Sequence, residues 1–148
     1  MKILIDANVA LDILLERHPF YVTGIQVLGL SKIGIELYVS SSTITDLYYI
    51  IRRELKSKEK SILLLKNLII NVDIAAVSGS EIRKAIDLDW SDFEDAVQFA
   101  AGESIAVDYL VTRNTSDFAS ASMPVVTPDD LLRIITESED RQADNDDR

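Results

Sequence analysis

The run Lys2-Ile-Leu-Ile-Asp6, followed at once by Ala7-Asn8, constrains this chain more than any other stretch. Residues of apolar or stem-apolar character run without a polar break into an aspartate. Such a run predicts a strand buried on both faces, as in the middle of a parallel sheet. A carboxylate at the carboxyl end of that strand sits at the mouth of the sheet, where open α/β folds bind ligands. Val9-Ala-Leu-Asp-Ile-Leu-Leu15 then repeats apolar residues at helical spacing, so the turn opens into a helix with Asn8 as the expected N-cap. Asp6 alone admits a plain reading, a strand-end residue that hydrogen-bonds its own turn. The other carboxylates decide.

Taken in order, the pattern predicts a second helix over 21–33 closed by Gly34, and a strand over 35–40. A hydroxyl cluster, Ser41-Ser42-Thr43, precedes a helix over 44–55, and Lys56-Ser-Lys-Glu-Lys60 reads as a charged turn. A helix over 61–68, a strand over 70–75 and helices over 80–88 and 90–101 follow. Strands at 109–112 and 125–127 come next, then a last helix opened by Pro128 with Thr127 as its cap. Strands separated by helical hairpins call for a parallel sheet with helices on both faces. With 148 residues, one domain large enough for a sizeable core is the natural count.

Composition narrows the chemistry. Cys is absent and His18 is the lone histidine, which removes disulfides and thiolate metal sites and argues against zinc. No stretch approaches the ~18 uninterrupted apolar residues of a membrane span. No charged lead followed by an apolar run and cleavage site opens the sequence, so a cytoplasmic protein is expected. The formal net charge of -10 is unlike that of a protein built for static nucleic-acid binding, unless divalent metals reverse the sign of its site. Part of the excess is remote: residues 137–148 hold six acids and two arginines with almost no apolar residue, the composition of a disordered tail. The expected domain is therefore 1–136.

The remaining acids follow strand ends. Asp6 ends the first, Asp46 lies one turn into the helix after the second, and Asn114 and Asp117 follow the strand at 109–112 in Thr112-Arg-Asn-Thr-Ser-Asp-Phe118. Asp92 and Asp95 open the helix leading to that strand. In a parallel sheet these positions meet at one edge. Crowded carboxylates raise one another's pKa, and a divalent cation removes that cost. Oxygen-only ligation favours Mg²⁺ or Mn²⁺. Each acid has a plainer role open to it: Thr43-x-x-Asp46 and Ser91-x-x-Glu94 both fit capping boxes, and Glu94 is assigned to that role. Asp92 could be a ligand, a cap or solvated, and Asp117 could cap a short turn. Asp95, beside Ala96 and Val97, has no capping role open to it on this reading.

Asp6-Ala-Asn8, Ser42-Thr-Ile-Thr-Asp-Leu-Tyr-Tyr49, Asp92-Phe-Glu-Asp-Ala-Val-Gln98 and Thr112-Arg-Asn-x-x-Asp-Phe118 together resemble a PIN domain, and more narrowly its VapC-like toxin branch. The resemblance runs from Met1 to about Thr136. It implies a PIN-like three-layer sandwich, a central parallel sheet of four to five strands with helices on both faces. It also implies a metal-dependent ribonuclease acting on RNA. Asp6, Asp46, Asp95 and Asp117 take the family's catalytic positions, with Asp6, Asp95 and Asp117 on the metal. Thr112, Asn114 and Asp92 are expected in support, and Asn8 to orient Asp6. Many members carry Glu where Asp46 stands, so a shorter side chain here could act through water. Homodimers and inhibition by a separately encoded antitoxin are further implications.

Two other classes compete. A phosphoacceptor receiver module would need paired acids after the first strand, where Asp6 stands alone. A PIN-like scaffold that binds RNA or protein without cutting would not need the full set of acids. Gly-rich phosphate loops and a Gly-x-Ser-x-Gly elbow are absent from the sequence. Positive charge gathers at Arg52, Arg53, Lys56, Lys58 and Lys60; Arg52, Arg53 and Lys56 are expected either to contact the RNA backbone or simply to solvate a helix end.

Overall fold

The computed structural model describes residues 1–146. Five parallel strands form one sheet in the order β3-β2-β1-β4-β5: β1 Lys2–Ile5, β2 Glu36–Ser40, β3 Asp73–Ala75, β4 Tyr109–Val111 and β5 Val125–Val126. β1 is central, pairing Ile3 with Leu37 on one side and with Tyr109 on the other. The chain adds β2 and β3 outward on one side, then returns to add β4 and β5 on the other. The junction between β1 and β4 is thus where the strand order reverses, the place at which such sheets open a crevice.

Side chains alternate across the sheet and specify two helical layers. Ile3, Ile5, Leu37, Val39 and Val111 pack beneath α1 (Ala7–Leu14), α2 (Phe20–Gly29), α3 (Ser41–Leu55), α4 (Lys58–Asn71) and α7 (Pro128–Asp146). Leu4, Leu110 and Ala75 face the opposite way, toward α5 (Gly79–Leu88) and α6 (Phe93–Ser104). Ala96, Ala100, Ala101 and Gly102 let α6 lie close on the sheet: a Cβ on Gly102 would come within 2.9 Å of Leu4 Cδ2. The small-residue body of α6 therefore brings its acidic start down to the end of β1.

Several element bounds differ from the sequence reading. The charged stretch at 56–60 is not a turn throughout: Lys56 closes α3 in a left-handed conformation, and Ser57 Oγ caps α4 by accepting from Lys60 N–H at 3.2 Å. Leu64, Leu65 and Leu68 continue at helical spacing, so α4 runs on to Asn71 and shortens β3 to Asp73–Ala75. Ile70, which resembles a strand residue locally, is 77% exposed on that helix. The segment after Thr136 was expected to be unstructured, yet α7 continues through it to Asp146, with Glu137 paired to Arg133 and Arg141 at i,i+4. From Thr136 to Asp144 its residues are exposed. Residues 147 and 148 of the expected tail lie outside the described residues.

Candidate active site

Asp6 is buried at the strand-order reversal, its Oδ2 accepting a 2.8 Å hydrogen bond from Thr112 Oγ1 at the end of β4. The same Thr112 oxygen accepts the backbone N–H of Asn114 at 3.1 Å, so one hydroxyl ties β1, β4 and the following loop together. Asp6, not Asn8, is the N-cap residue of α1, and its side chain makes no cap hydrogen bond. Asn8 lies within the first turn, and among the described residues its side chain makes no hydrogen bond to Asp6. The expectation that Asn8 caps α1 is thereby corrected, and Asp6 takes its hydrogen-bond partner from the adjacent strand, because parallel pairing brings Thr112 alongside it.

Asp92 settles as the N-cap of α6, its Oδ1 accepting the Asp95 N–H at 3.1 Å. This displaces the Ser91-x-x-Glu94 box. Glu94 is left with an uncapped carboxylate, and Asp95 stands three residues after the cap. Helix dipoles favour ionised acids there by ~0.3–1 kcal/mol. That effect loses. Burial pushes the Asp95 carboxyl up to about 7, with like charge from Asp92, Asp6, Asp117 and Glu94 adding to it. Burial also raises Asp6 above the ordinary carboxylate range, opposed by the Thr112 hydroxyl and the neighbouring Gln98 amide and reinforced by Asp117. Asp117 lies in a 3₁₀ turn, Thr115–Phe118, whose Phe118 is buried against Trp90. Trp90 stacks on Phe99 of α6 as well, at 5.0 Å between ring centroids, so one aromatic cluster fixes the loops carrying Asp92 and Asp117.

Asp46 belongs to the periphery of this group. Ser40 caps α3 by accepting from Thr43 N–H at 3.1 Å, which removes the Thr43-x-x-Asp46 box and leaves Asp46 without a capping role. Burial raises its carboxyl, and Asp46 is in turn the largest influence raising Glu94. Asp46 therefore faces the α6 start through Glu94, a residue assigned above to helix capping.

Gln98, the last residue of the Asp92–Gln98 motif, bridges the site. Its Oε1 accepts Ala7 N–H at 3.1 Å and Thr43 Oγ1 at 3.4 Å, and its Nε2 donates to Asp95 Oδ1 at 3.4 Å. Gln98 is buried, a full turn after Asp95 on α6. A buried amide on an Ala-rich helix was the available signal, since such a group needs partners. Arg52, Arg53 and Lys56 are exposed at the other end of α3, ten residues from Asp46 to Lys56 or ~15 Å along the helix. The structure does not bring them to the acids.

Can these residues hold a metal? The donor chemistry fits a hard divalent cation: Asp6, Asp95 and Asp117 supply only oxygens, and like charge from Asp6 and Asp117 adds to the burial that raises the Asp95 carboxyl. None of these acids is ion-paired to a Lys or Arg among the described residues. As the side chains stand, no group of three His, Asp or Glu among the described residues converges closely enough to hold an ion.

No curated protein matches the sequence. Among solved structures, VapBC2 from Rickettsia felis, bound to a DNA fragment of its promoter, superposes with a TM-score of 0.70 at 17% identity, covering 86% of this chain and 98% of that one. VapC20 from Mycobacterium tuberculosis, a sarcin-ricin loop cleaving toxin, gives 0.65 at 12% identity over 82% and 95%. A toxin–antitoxin complex from Klebsiella pneumoniae gives 0.62 at 22% identity over 84% and 96%. At these identities the likeness concerns the fold. The sequence pattern of the PIN domain itself matches residues 2–116, most of the chain and every acid described above except Asp117. With that match and an acid cluster at the reversal point of a five-stranded parallel sheet, this chain belongs to the PIN-domain family.

Proposed function

We propose that this chain is a divalent-metal-dependent endoribonuclease and the toxin of a toxin–antitoxin pair. The observation that carries the proposal is a buried Asp6 beside a half-buried Asp95, with no Lys or Arg paired to either among the described residues. Two raised carboxyls cost stability in the native state, and binding Mg²⁺ or Mn²⁺ recovers it. Asp6, Asp95 and Asp117 would hold the ion, after modest side-chain movement, with Asp46 and Glu94 at its edge. When bound, the ion lowers the pKa of a water and offsets charge on the phosphodiester. The protein's own groups position. Thr112 holds Asp6 in one rotamer, and Gln98 holds Asp95 while fixing the first peptide of α1. No side-chain nucleophile is needed. The structural likeness to a sarcin-ricin loop cleaving toxin and to a toxin–antitoxin complex supports RNA as substrate and a separately encoded antitoxin as partner. Exposed Leu63, Ile69 and Ile70 on α4 offer apolar surface for a second copy or that partner. Among the described residues no helix is long and apolar enough to cross a membrane, and a cytoplasmic homodimer is the form proposed.

The test is Asp95→Asn. With Mn²⁺ present, the wild type is expected to cut RNA and to stop on adding EDTA. The variant loses roughly 10²–10³-fold or more in rate, with an unchanged circular dichroism spectrum. Wild-type turnover by Asp95→Asn sinks the assignment, and an intact protein that binds RNA without ever cutting it favours the non-cleaving reading.

A further inference from the structure

A concavity lies beside Arg113 and Asn114, the residues that follow Thr112. It has a volume of about 440 Å³ and is lined by α1, by the start of α2, by Arg113 and Asn114 after β4, and by the start of α7. That volume lies within the ~300–1,000 Å³ of small-ligand sites. Among its lining residues, the Arg113 guanidinium lies over the Phe20 ring, 4.1 Å from the centroid. Arg113 is held there by Asp12, with Nε donating to Oδ2 at 2.6 Å and Nη2 to Oδ1 at 3.3 Å. Phe20 stays 42% exposed and the Arg113 side chain 27% exposed. Around the stack stand Thr23, Asn114 and Asp129, with Thr23 Oγ1 donating to Asp129 Oδ1 at 3.2 Å.

We infer that this pocket receives an unpaired nucleobase of the RNA strand, stacked on Phe20 and Arg113 and met at its edge by Thr23, Asn114 and Asp129. The inference rests on the ribonuclease reading above and adds the subsite that positions the strand. Continuity with the acids is the first argument. Asn114 N–H bonds the same Thr112 hydroxyl that holds Asp6, and Asp12 is ~9 Å along α1 from Asp6. A strand with its phosphodiester at Asp6 passes the pocket with an adjoining nucleotide. The second argument is charge. Arg113, the cation lining the pocket, is already bound to Asp12, and Asp129 places a carboxylate at the rim, so a phosphate gains nothing there. A neutral, flat base with polar edges fits, and single-stranded RNA is read by stacking on aromatic rings and guanidinium planes.

The test measures binding rather than cleavage, in the Asp95→Asn background with Mg²⁺. A short fluorescein-labelled single-stranded RNA is titrated by anisotropy beside an abasic strand of the same length, and melting curves are recorded for every variant. Phe20→Ala is expected to weaken RNA binding about 5- to 150-fold, the usual worth of one stacked base, and to leave binding of the abasic strand unchanged. Phe20→Trp should restore affinity, and its added fluorescence should be quenched by RNA more than that of the Phe20 parent. If Phe20→Ala binds RNA as the parent does, or loses the abasic strand equally, the stack only braces the loop and the proposal falls while the nuclease reading stands. A parent that binds no RNA, with a wild type that cuts none, removes both.

Discussion

Asp6 and Asp12 stand at the two ends of one short helix, both almost wholly buried at 3% and 1% exposure, yet the fold treats them oppositely. Asp12 receives a cation in two-point contact, Arg113, itself stacked on Phe20. Asp6 receives neutral partners and no paired cation among the described residues, and burial, reinforced by Asp117, holds its carboxyl above the ordinary range. A buried carboxylate that serves the fold is neutralised from within. One left to repel its neighbours is a group the chain keeps for something from outside. The contrast is sharpened by Arg113 and Thr112 being adjacent in sequence: one residue satisfies Asp12, the other restrains Asp6 without neutralising it.

That contrast can be broken by experiment. Replacing Arg113 by Met should strand the buried Asp12 charge and cost about 3–5 kcal/mol, a fall in melting temperature of roughly 6–20 °C. Asp6→Asn, by comparison, should leave metal-free stability unchanged or higher. Equal losses in thermal melts of the two variants would abolish the distinction. Next in size is metal binding. At a hundredfold excess over Kd, Mn²⁺ bound to the native state alone stabilises by about 2.7 kcal/mol, or roughly 5–10 °C. Asp6→Asn should lose most of that shift and Asp12 variants that still fold should keep it, with ionic strength matched to exclude general screening.

The Asp95 carboxyl makes the same point through pH. Its native pKa of about 7 lies above the ordinary carboxylate value, so the native state binds the proton more tightly than the unfolded chain does. Without metal, stability should therefore be fully present below about pH 4 as far as this group is concerned, and fall as pH rises toward 7. The partial exposure of Asp95 discounts the effect to about 1–2 kcal/mol. Melting in EDTA at pH 5 and pH 8 should show the wild type losing stability and Asp95→Asn losing less; parallel slopes would place the titration elsewhere. The smallest effect belongs to the end of α7, which touches neither carboxylate. Deleting 138–148 removes the exposed Arg141–Glu137 pair, worth at most about 1 kcal/mol. A larger fall in melting temperature would show that the segment docks.

Residue order alone determined the central strand and the parallel α/β class. Those depend on buried runs, helical periodicity and the common direction of parallel strands, all of which are local or follow from topology. Thr127 caps the last helix as its place before Pro128 predicts, accepting from Asp130 N–H at 3.2 Å, but other capping assignments did not survive folding: Ser40, not Thr43, and Asp92, not Ser91, cap their helices. Several hydroxyls or carboxylates precede each of these helices, and which one caps depends on where the strand or loop delivers the backbone. The same limit hid Glu94, since an acid in a first turn looks like a cap until another residue takes that place.

Only the tertiary structure paired Thr112 with Asp6 and Arg113 with Asp12, contacts that span 106 and 101 residues. It also set Gln98 across β1, α3 and α6, and built the pocket in which Phe20 meets Arg113. These partnerships join side chains far apart in sequence, and periodicity carries no record of them. Whether a buried aspartate met a cation or only neutral partners was decided there, because its field depends on every group packed around it and only the folded chain brings those groups together.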